Sequence, residues 1–364
     1  MQRFEFPGFV DVHVHFRDPG MTEAETVASG LKAAERGGFA AVVTMPNTSP
    51  ACDSREIMEY QLKKSAEAHS PVRLFTSACI TEGRLGEKVA NLEELAAAGA
   101  AFFTDDGSYV TDDVVMEEAM KRSADLCMVL SQHALDPRIV GGGVIRDCPL
   151  ARKARLEVIP AEAEISAIRR DLSICRETGC RLHIQHISTA QGVSLVRDAQ
   201  KEGLPVTAEA TPHHLLFACD ELTVDDANFK MAPPLGCRED RSELRKAVKE
   251  GALMFATDHA PHPARTKNVG FARSANGIIA LEAAAAITYA VMVEEEGMDV
   301  SAWARAWHEM PLSLLPAALS SSVTGKTILE TGVSQKIDVA SFSSLSRNCP
   351  YDAMNFGVKI SSSF

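Results

Sequence analysis

Short apolar runs rich in Val, Ile and Phe alternate along this chain with longer segments of helical period. The strand-like runs fall at residues 9–16, 39–45, 72–80, 100–104, 127–133, 181–187, 204–210 and 253–257. Amphipathic stretches at residues 22–37, 54–68, 112–125, 161–179, 190–203 and 238–251 separate them, and several end in Gly, as helix C-termini often do. Strands joined by helices build parallel βαβ units, so the pattern predicts an α/β fold. Eight such strands point to a (β/α)8 TIM barrel, with a doubly wound sheet as the alternative. At 364 residues and 46% hydrophobic content, the chain can bury a core of that size.

The barrel is favoured by where the reactive residues fall. Arg17, Asn47, Asp105, Asp106, His133, His186 and Asp258 all lie at or just past the ends of predicted strands. A barrel gathers those ends around one mouth, where active sites are built, whereas an open sheet spreads them along an edge. The first strand carries His13 and His15, and alternation turns residues i and i+2 to one face. Two such histidines are either satisfied core groups or a preoriented pair of metal ligands. The adjacent acids Asp105 and Asp106 resist ionisation near a core unless a cation neutralises them. His133, His186 and Asp258 each end a further strand. Four histidines and two aspartates form an N/O donor set suited to Zn2+ or a similar dication. A pair of such ions lowers the pKa of a shared water and polarises a carbonyl oxygen.

The net charge of −12 disfavours nucleic acid and anionic membranes as partners, and it repels an anionic substrate at long range. Any site for such a substrate must supply local positive charge, and Arg17 stands beside the histidine pair. Nine cysteines with no CxxC pair read as reduced thiols, and the charged start of the chain does not read as a secretion signal. No apolar run approaches the roughly 20 residues of a spanning helix. A cytoplasmic protein is the expectation. His183, His213, His214 and His259 read as structural or as supports behind the ligands, with His259 facing away from its neighbour Asp258.

Several words of sequence occur together: residues 7–20 (PGFVDVHVHFRDPG), 45–48 (MPNT), 104–107 (TDDG), 186–190 (HISTA), 211–215 (TPHHL) and 257–262 (TDHAPH). In these words and their order the chain resembles dihydroorotases of the bacterial class I type, in the amidohydrolase superfamily. The resemblance implies that His13, His15 and Asp258 hold one metal, that His133 and His186 hold the other, and that Asp106 bridges them. It makes Asp258 the general acid/base and assigns Arg17, Asn47 and His262 to a substrate carboxylate, with Asn276 and Gly277 near the ring edge. The implied cofactor is Zn2+, one or two ions per subunit with a binuclear site expected, and no organic cofactor. The implied reaction is the reversible cyclisation of N-carbamoyl-L-aspartate to L-dihydroorotate.

The expected domains are a catalytic barrel over residues 7–322 and a C-terminal extension over 323–364, a reduced remnant of the family's β-sandwich. The sandwich strands that normally precede the barrel are read as essentially missing. The family commonly carries an acid shortly after the fifth-strand histidine, whereas here Ala134 and Leu135 intervene before Asp136. The expected partner is a small molecule, with a homodimer and association with aspartate transcarbamoylase as further readings. Two alternatives stay open: another cyclic-amide hydrolase of hydantoinase or allantoinase type, and a noncatalytic paralogue scaffolding aspartate transcarbamoylase.

Overall fold

A computed structural model describes residues 2–364. Its strands are β1 (Gln2–Pro7), β2 (Phe9–Val14), β3 (Phe39–Thr44), β4 (Arg73–Thr76), β5 (Val129–Gln132), β6 (Arg181–Ile184), β7 (Val206–Ala210), β8 (Met254–Phe255), β9 (Lys326–Lys336) and β10 (Asn355–Ser363). Strands β2 to β4 form one parallel sheet and β5 to β8 another. Single parallel bridges link them: Ala78 to Phe103, Phe103 to Leu130, and Val14 back to His259 just beyond β8. Hydrogen-bonded neighbours therefore run from β2 round to β8 and return to β2.

Every residue of β2 and β3 is buried, as expected of parallel strands covered on both faces. Helices close the outer face. Val27–Arg36 buries Val27, Leu31, Ala33 and Ala34, and its start is fixed by a reciprocal Thr26–Ser29 capping box. Inside the ring, Val10, Val12, Ala41, Val43, Phe75, Phe102, Val129 and Met254 pack together over Leu314 and Leu315. Outside it, Phe9 packs on Trp303 and Trp307, with ring centroids 5.1 and 6.2 Å away.

Three sequence expectations change. The run at residues 100–104 forms bridges only at Phe103 rather than a full strand. Backbone hydrogen bonds still tie it to both neighbours, and just beyond it the Asp105 carboxylate accepts the amides of Ile80 and Thr81. The helical pattern weakens in sequence after Gly297, yet Val300–Trp307 is a helix anchored by its two buried tryptophans. Strand β1 pairs antiparallel with β9, which pairs with β10, so the first residues and the tail share a three-stranded sheet. Among the described residues, no helix is long and apolar enough to cross a membrane.

Candidate metal centre

The first two predicted ligands owe their aim to an irregularity in β2. Its register against β3 shifts between Asp11 and Val14. Val12 packs inside the ring and Val14 outside it, and this bulge lets His13 face inward after Val12. His15 then follows at i+2 on the same side. Asp11 fixes the bulge, accepting from the amides of His13 (3.2 Å) and Thr257 (3.1 Å) and from the Thr257 hydroxyl. One carboxylate thus ties the first strand to the segment that carries Asp258.

All six predicted ligands converge. His15 Nε2 lies 3.0 Å from Asp258 Oδ1 and 3.3 Å from Asp106 Oδ2. His13 Nε2 lies 3.3 Å from Asp106 Oδ1 and 3.5 Å from Asp258 Oδ1. His133 Nδ1 is 3.5 Å from Asp106 Oδ1, and His186 Nε2 is 3.7 Å from the same oxygen. His186 and Asp258 adopt φ of 30° and 47°, a sparsely populated region for residues other than glycine. Strained backbone at two of six converging groups is a mark of a site held by its surroundings.

The histidine tautomers are set from behind. His13 Nδ1 donates to Glu209 Oε1 at 2.5 Å, and His15 Nδ1 donates to Asn47 Oδ1 at 2.8 Å. Each imidazole therefore turns an Nε2 lone pair towards the centre. Glu209 was not singled out in sequence; the signal was a lone acid in the apolar run of β7. It also accepts from His183 Nε2 (3.0 Å) and the His186 amide (3.1 Å).

Burial opposes charge in this cluster, and pairing decides the outcome. Burial would raise the Asp106 and Asp258 carboxyls, yet the imidazoles around them hold both well below the usual range. Glu209 is likewise held at about 2, against its burial, by His13 and His183. Burial would lower His13, but Glu209, Asp106 and Asp258 keep it well above its ordinary value, so an ion bound by its Nε2 must displace a proton from that atom. Within the six converging side chains, His13 Nε2, Asp106 Oδ1 and His186 Nδ1 are buried without a hydrogen-bond partner among the described residues. Buried polar atoms are nearly always paired. The donor atoms of His13, His15 and Asp258 lie within 4.8 Å of one another, as do those of His13, Asp106 and His186. Donor atoms converging at these spacings, with His13 Nε2 and Asp106 Oδ1 free of any hydrogen-bond partner among the described residues, fit divalent cations.

Beside the cluster opens a cavity of about 210 Å³, lined by every predicted site residue except His13, which is buried behind it. Arg17 Nε donates to Pro261 O (3.2 Å), leaving the rest of its guanidinium near His262. His262 Nε2 donates to Asn276 O at 2.7 Å. Burial and then Arg17 hold that imidazole down at about 3, so it stays neutral. Asn47 spends its carbonyl on His15, which leaves its amide N–H groups for a ligand. The expectation for Asn276 and Gly277 narrows: the Gly277 N–H and carbonyl and the Asn276 carbonyl all have internal partners, and the exposed Asn276 N–H and side chain remain.

Three of the other four histidines singled out in sequence have protein partners on both ring nitrogens. His259 turns away from the centre, accepting the Ala280 and Leu281 amides and meeting Glu25. His183 bonds Thr207 and Glu209, and His214 bonds Thr211 and Pro233. Both ring nitrogens of the buried His213 lack a partner among the described residues. Asp136 binds Arg138 rather than His133.

The family model described as "Dihydro-orotase-like" matches residues 2–192. A dihydroorotase of Geobacillus thermodenitrificans is 39% identical over 95% of this chain and 82% of its own length. One from Bacillus licheniformis is 38% identical over 97% of this chain and 83% of its own. Among solved structures, the L-hydantoinase (dihydropyrimidinase) of Arthrobacter aurescens superimposes with a TM-score of 0.83 at 25% identity, covering 98% of this chain and 83% of that one. A Saccharomyces cerevisiae dihydroorotase in complex with 5-fluoroorotic acid shares the fold at a TM-score of 0.79 and 18% identity, covering 100% and 99%. With its ligand words in family order and relatives matched over nearly its whole length, this chain belongs to the dihydroorotase-like family.

Proposed function

We propose that this chain is a metal-dependent dihydroorotase that interconverts N-carbamoyl-L-aspartate and L-dihydroorotate, the third step of pyrimidine synthesis. The observation that carries this reading is one cavity in which six candidate ligands adjoin the Arg17, Asn47 and His262 group. A ring amide needs the first set and a ring carboxylate the second. His13, His15 and Asp258 would hold one ion, His133 and His186 a second, and Asp106 would bridge them. Divalent ions bound there, zinc by the chemistry of the donors, supply Lewis acidity towards a carbonyl oxygen and lower the pKa of a water.

The side chains do the rest. Arg17 anchors the carboxylate through charge-assisted hydrogen bonds, and Asn47 and neutral His262 add donors without adding charge. In hydrolysis, water adds to the ring amide carbonyl and the ring C–N bond breaks. The ionised Asp258 carboxylate accepts the proton of that water and returns it to the departing nitrogen. In ring closure, Asp258 removes a proton from the carbamoyl nitrogen as that nitrogen attacks the carboxyl carbon; the C–O bond then breaks, and the departing oxygen takes that proton and one more from solvent to leave as water.

The parallel strands support a (β/α)8 barrel over residues 7–322, and the β1–β9–β10 sheet supports a β-sandwich remnant built mainly from residues 323–364. All nine cysteines are free, which supports a reducing, cytoplasmic setting. A homodimer, and association with aspartate transcarbamoylase, are kept as proposals for sedimentation analysis.

Metal analysis with a dihydroorotate hydrolysis assay on wild type and Asp258→Asn tests the function. The variant is expected to keep its fold and to lose most turnover. Turnover of uncharged dihydrouracil but not dihydroorotate would reassign the substrate. Absence of both metal and activity after supply of zinc would favour the noncatalytic scaffold.

A further inference from the structure

Part of the cavity wall is backbone, at Asn276 and Gly277. Gly277 has φ of +126°, and a Cβ there would meet Ala260 Cβ at 2.6 Å and His262 Nε2 at 3.2 Å. Only glycine lets the chain press this closely on His262. What holds the segment in place comes from behind it. Lys267, at the end of the short helix Ala264–Lys267, is 2% exposed. Its Nζ donates to the backbone carbonyls of Lys230 (3.2 Å), Ala275 (2.9 Å) and Gly277 (3.0 Å). The Gly277 N–H donates to the same Lys230 carbonyl at 3.0 Å. Asn348, reaching in from the tail, donates to Gly277 O (3.0 Å) and Ala260 O (2.9 Å) and accepts from the His262 amide (3.1 Å).

A lysine is costly to bury, and burial, with Lys230 nearby, pulls this one down to about 7. Three carbonyl acceptors match the three N–H groups of its protonated form. The ammonium is the hub where three carbonyls from two separate stretches of chain meet. Those stretches lead directly to Ala232, Asn276 and Gly277 in the cavity wall. Through Asn276 O, which takes the His262 Nε2–H, the hub also orients one member of the carboxylate clamp.

We propose that Lys267 is a positioning residue for substrate binding, its buried ammonium clamping three backbone carbonyls so that Asn276, Gly277 and His262 meet the anionic substrate in a fixed arrangement. The inference rests on the functional reading above, and it gives the Lys267 side chain a role in affinity rather than in the chemical step.

The test is Lys267→Met, with Lys267→Gln, which keeps two N–H donors, should the first fail to fold. Three quantities are measured on metal-loaded protein: metal content, KM and kcat for dihydroorotate, and amide hydrogen exchange of the segment spanning residues 275–278. Expected are unchanged metal content, kcat within about threefold of wild type, KM raised at least about tenfold, and exchange at least about tenfold faster. Unchanged exchange overturns the proposal, as does faster exchange with an unchanged KM, or a fall in kcat that tracks loss of metal. If wild type does not turn over dihydroorotate, the functional reading fails by itself, and the exchange rates still decide whether Lys267 holds the wall.

Discussion

Glu209→Gln separates the orientation of a metal ligand from its presence. In the native site one carboxylate accepts from His13 Nδ1 and the His186 amide on one oxygen and from His183 Nε2 on the other. A glutamine with its oxygen towards His13 keeps the first two contacts. Its NH2 then faces His183 Nε2, which can accept if the His183 proton moves to Nδ1, where Thr207 Oγ1 stands at 2.9 Å. No cavity opens and no buried donor is stranded, so the loss is that of charge alone. A hydrogen bond to a charged group contributes about 1.5–3 kcal/mol and a neutral one about 0.5–1.5, a difference of roughly 1–2 kcal/mol. At about 1.36 kcal/mol per factor of ten, metal affinity falls roughly 5- to 30-fold. That range overlaps the roughly 10- to 100-fold typical of changes behind a ligating imidazole. The assay is competition against a chelator near neutral pH, with the unfolding midpoint of the metal-free protein as control. Wild-type metal affinity in a folded Glu209→Gln protein would refute the claim that this carboxylate sets His13 for coordination.

Arg17→Gln removes the one full charge of the proposed carboxylate clamp. KM for dihydroorotate should rise by roughly 30- to 100-fold, about 2–3 kcal/mol, while any slow turnover of uncharged dihydrouracil is spared; equal losses on both rings would argue against the clamp. His262 is held at about 3, so KM should show no step around pH 6.5. The unfolded chain takes up that proton near 6.5 and the folded one only near 3, so its share of stability is lost as pH falls between those values. A KM step near 6.5 that vanishes in His262→Asn would contradict this assignment. Phe9→Ala empties a fully buried position between Trp303 and Trp307 and should cost about 3–5 kcal/mol in denaturant unfolding. A loss under about 1 kcal/mol would show that the aromatic cluster can collapse into the space.

Much of the site was legible because its chemistry is written locally. The His13 and His15 pair, the acids after Phe103 and the residues ending β5, β6 and β8 announce themselves by type and by position at strand ends. The helices were legible too, since their apolar faces repeat with helical period; the predicted stretch at 54–68 and the observed helix Arg55–Ala68 differ by one residue. The helix Val300–Trp307 was harder to read, since its boundaries depend on where Trp303 and Trp307 find Phe9, not on a long periodic run.

Sequence alone determined the strand–helix alternation, the donor types and the cation that an acidic chain must place beside an anion site. Tertiary structure decided how those donors are aimed. Only closure of the strands brings Glu209 to His13, 196 positions away along the chain, and only pairing with β3 reveals the bulge that turns His13 inward. Lys267 acquires a role only when Lys230, Ala275 and Gly277 present their carbonyls to it. The physical reason is that hydrophobic period and side-chain chemistry are properties of neighbouring residues. Hydrogen bonds that fix a tautomer or a loop depend on which distant groups are buried together, and that is settled only when the chain has folded.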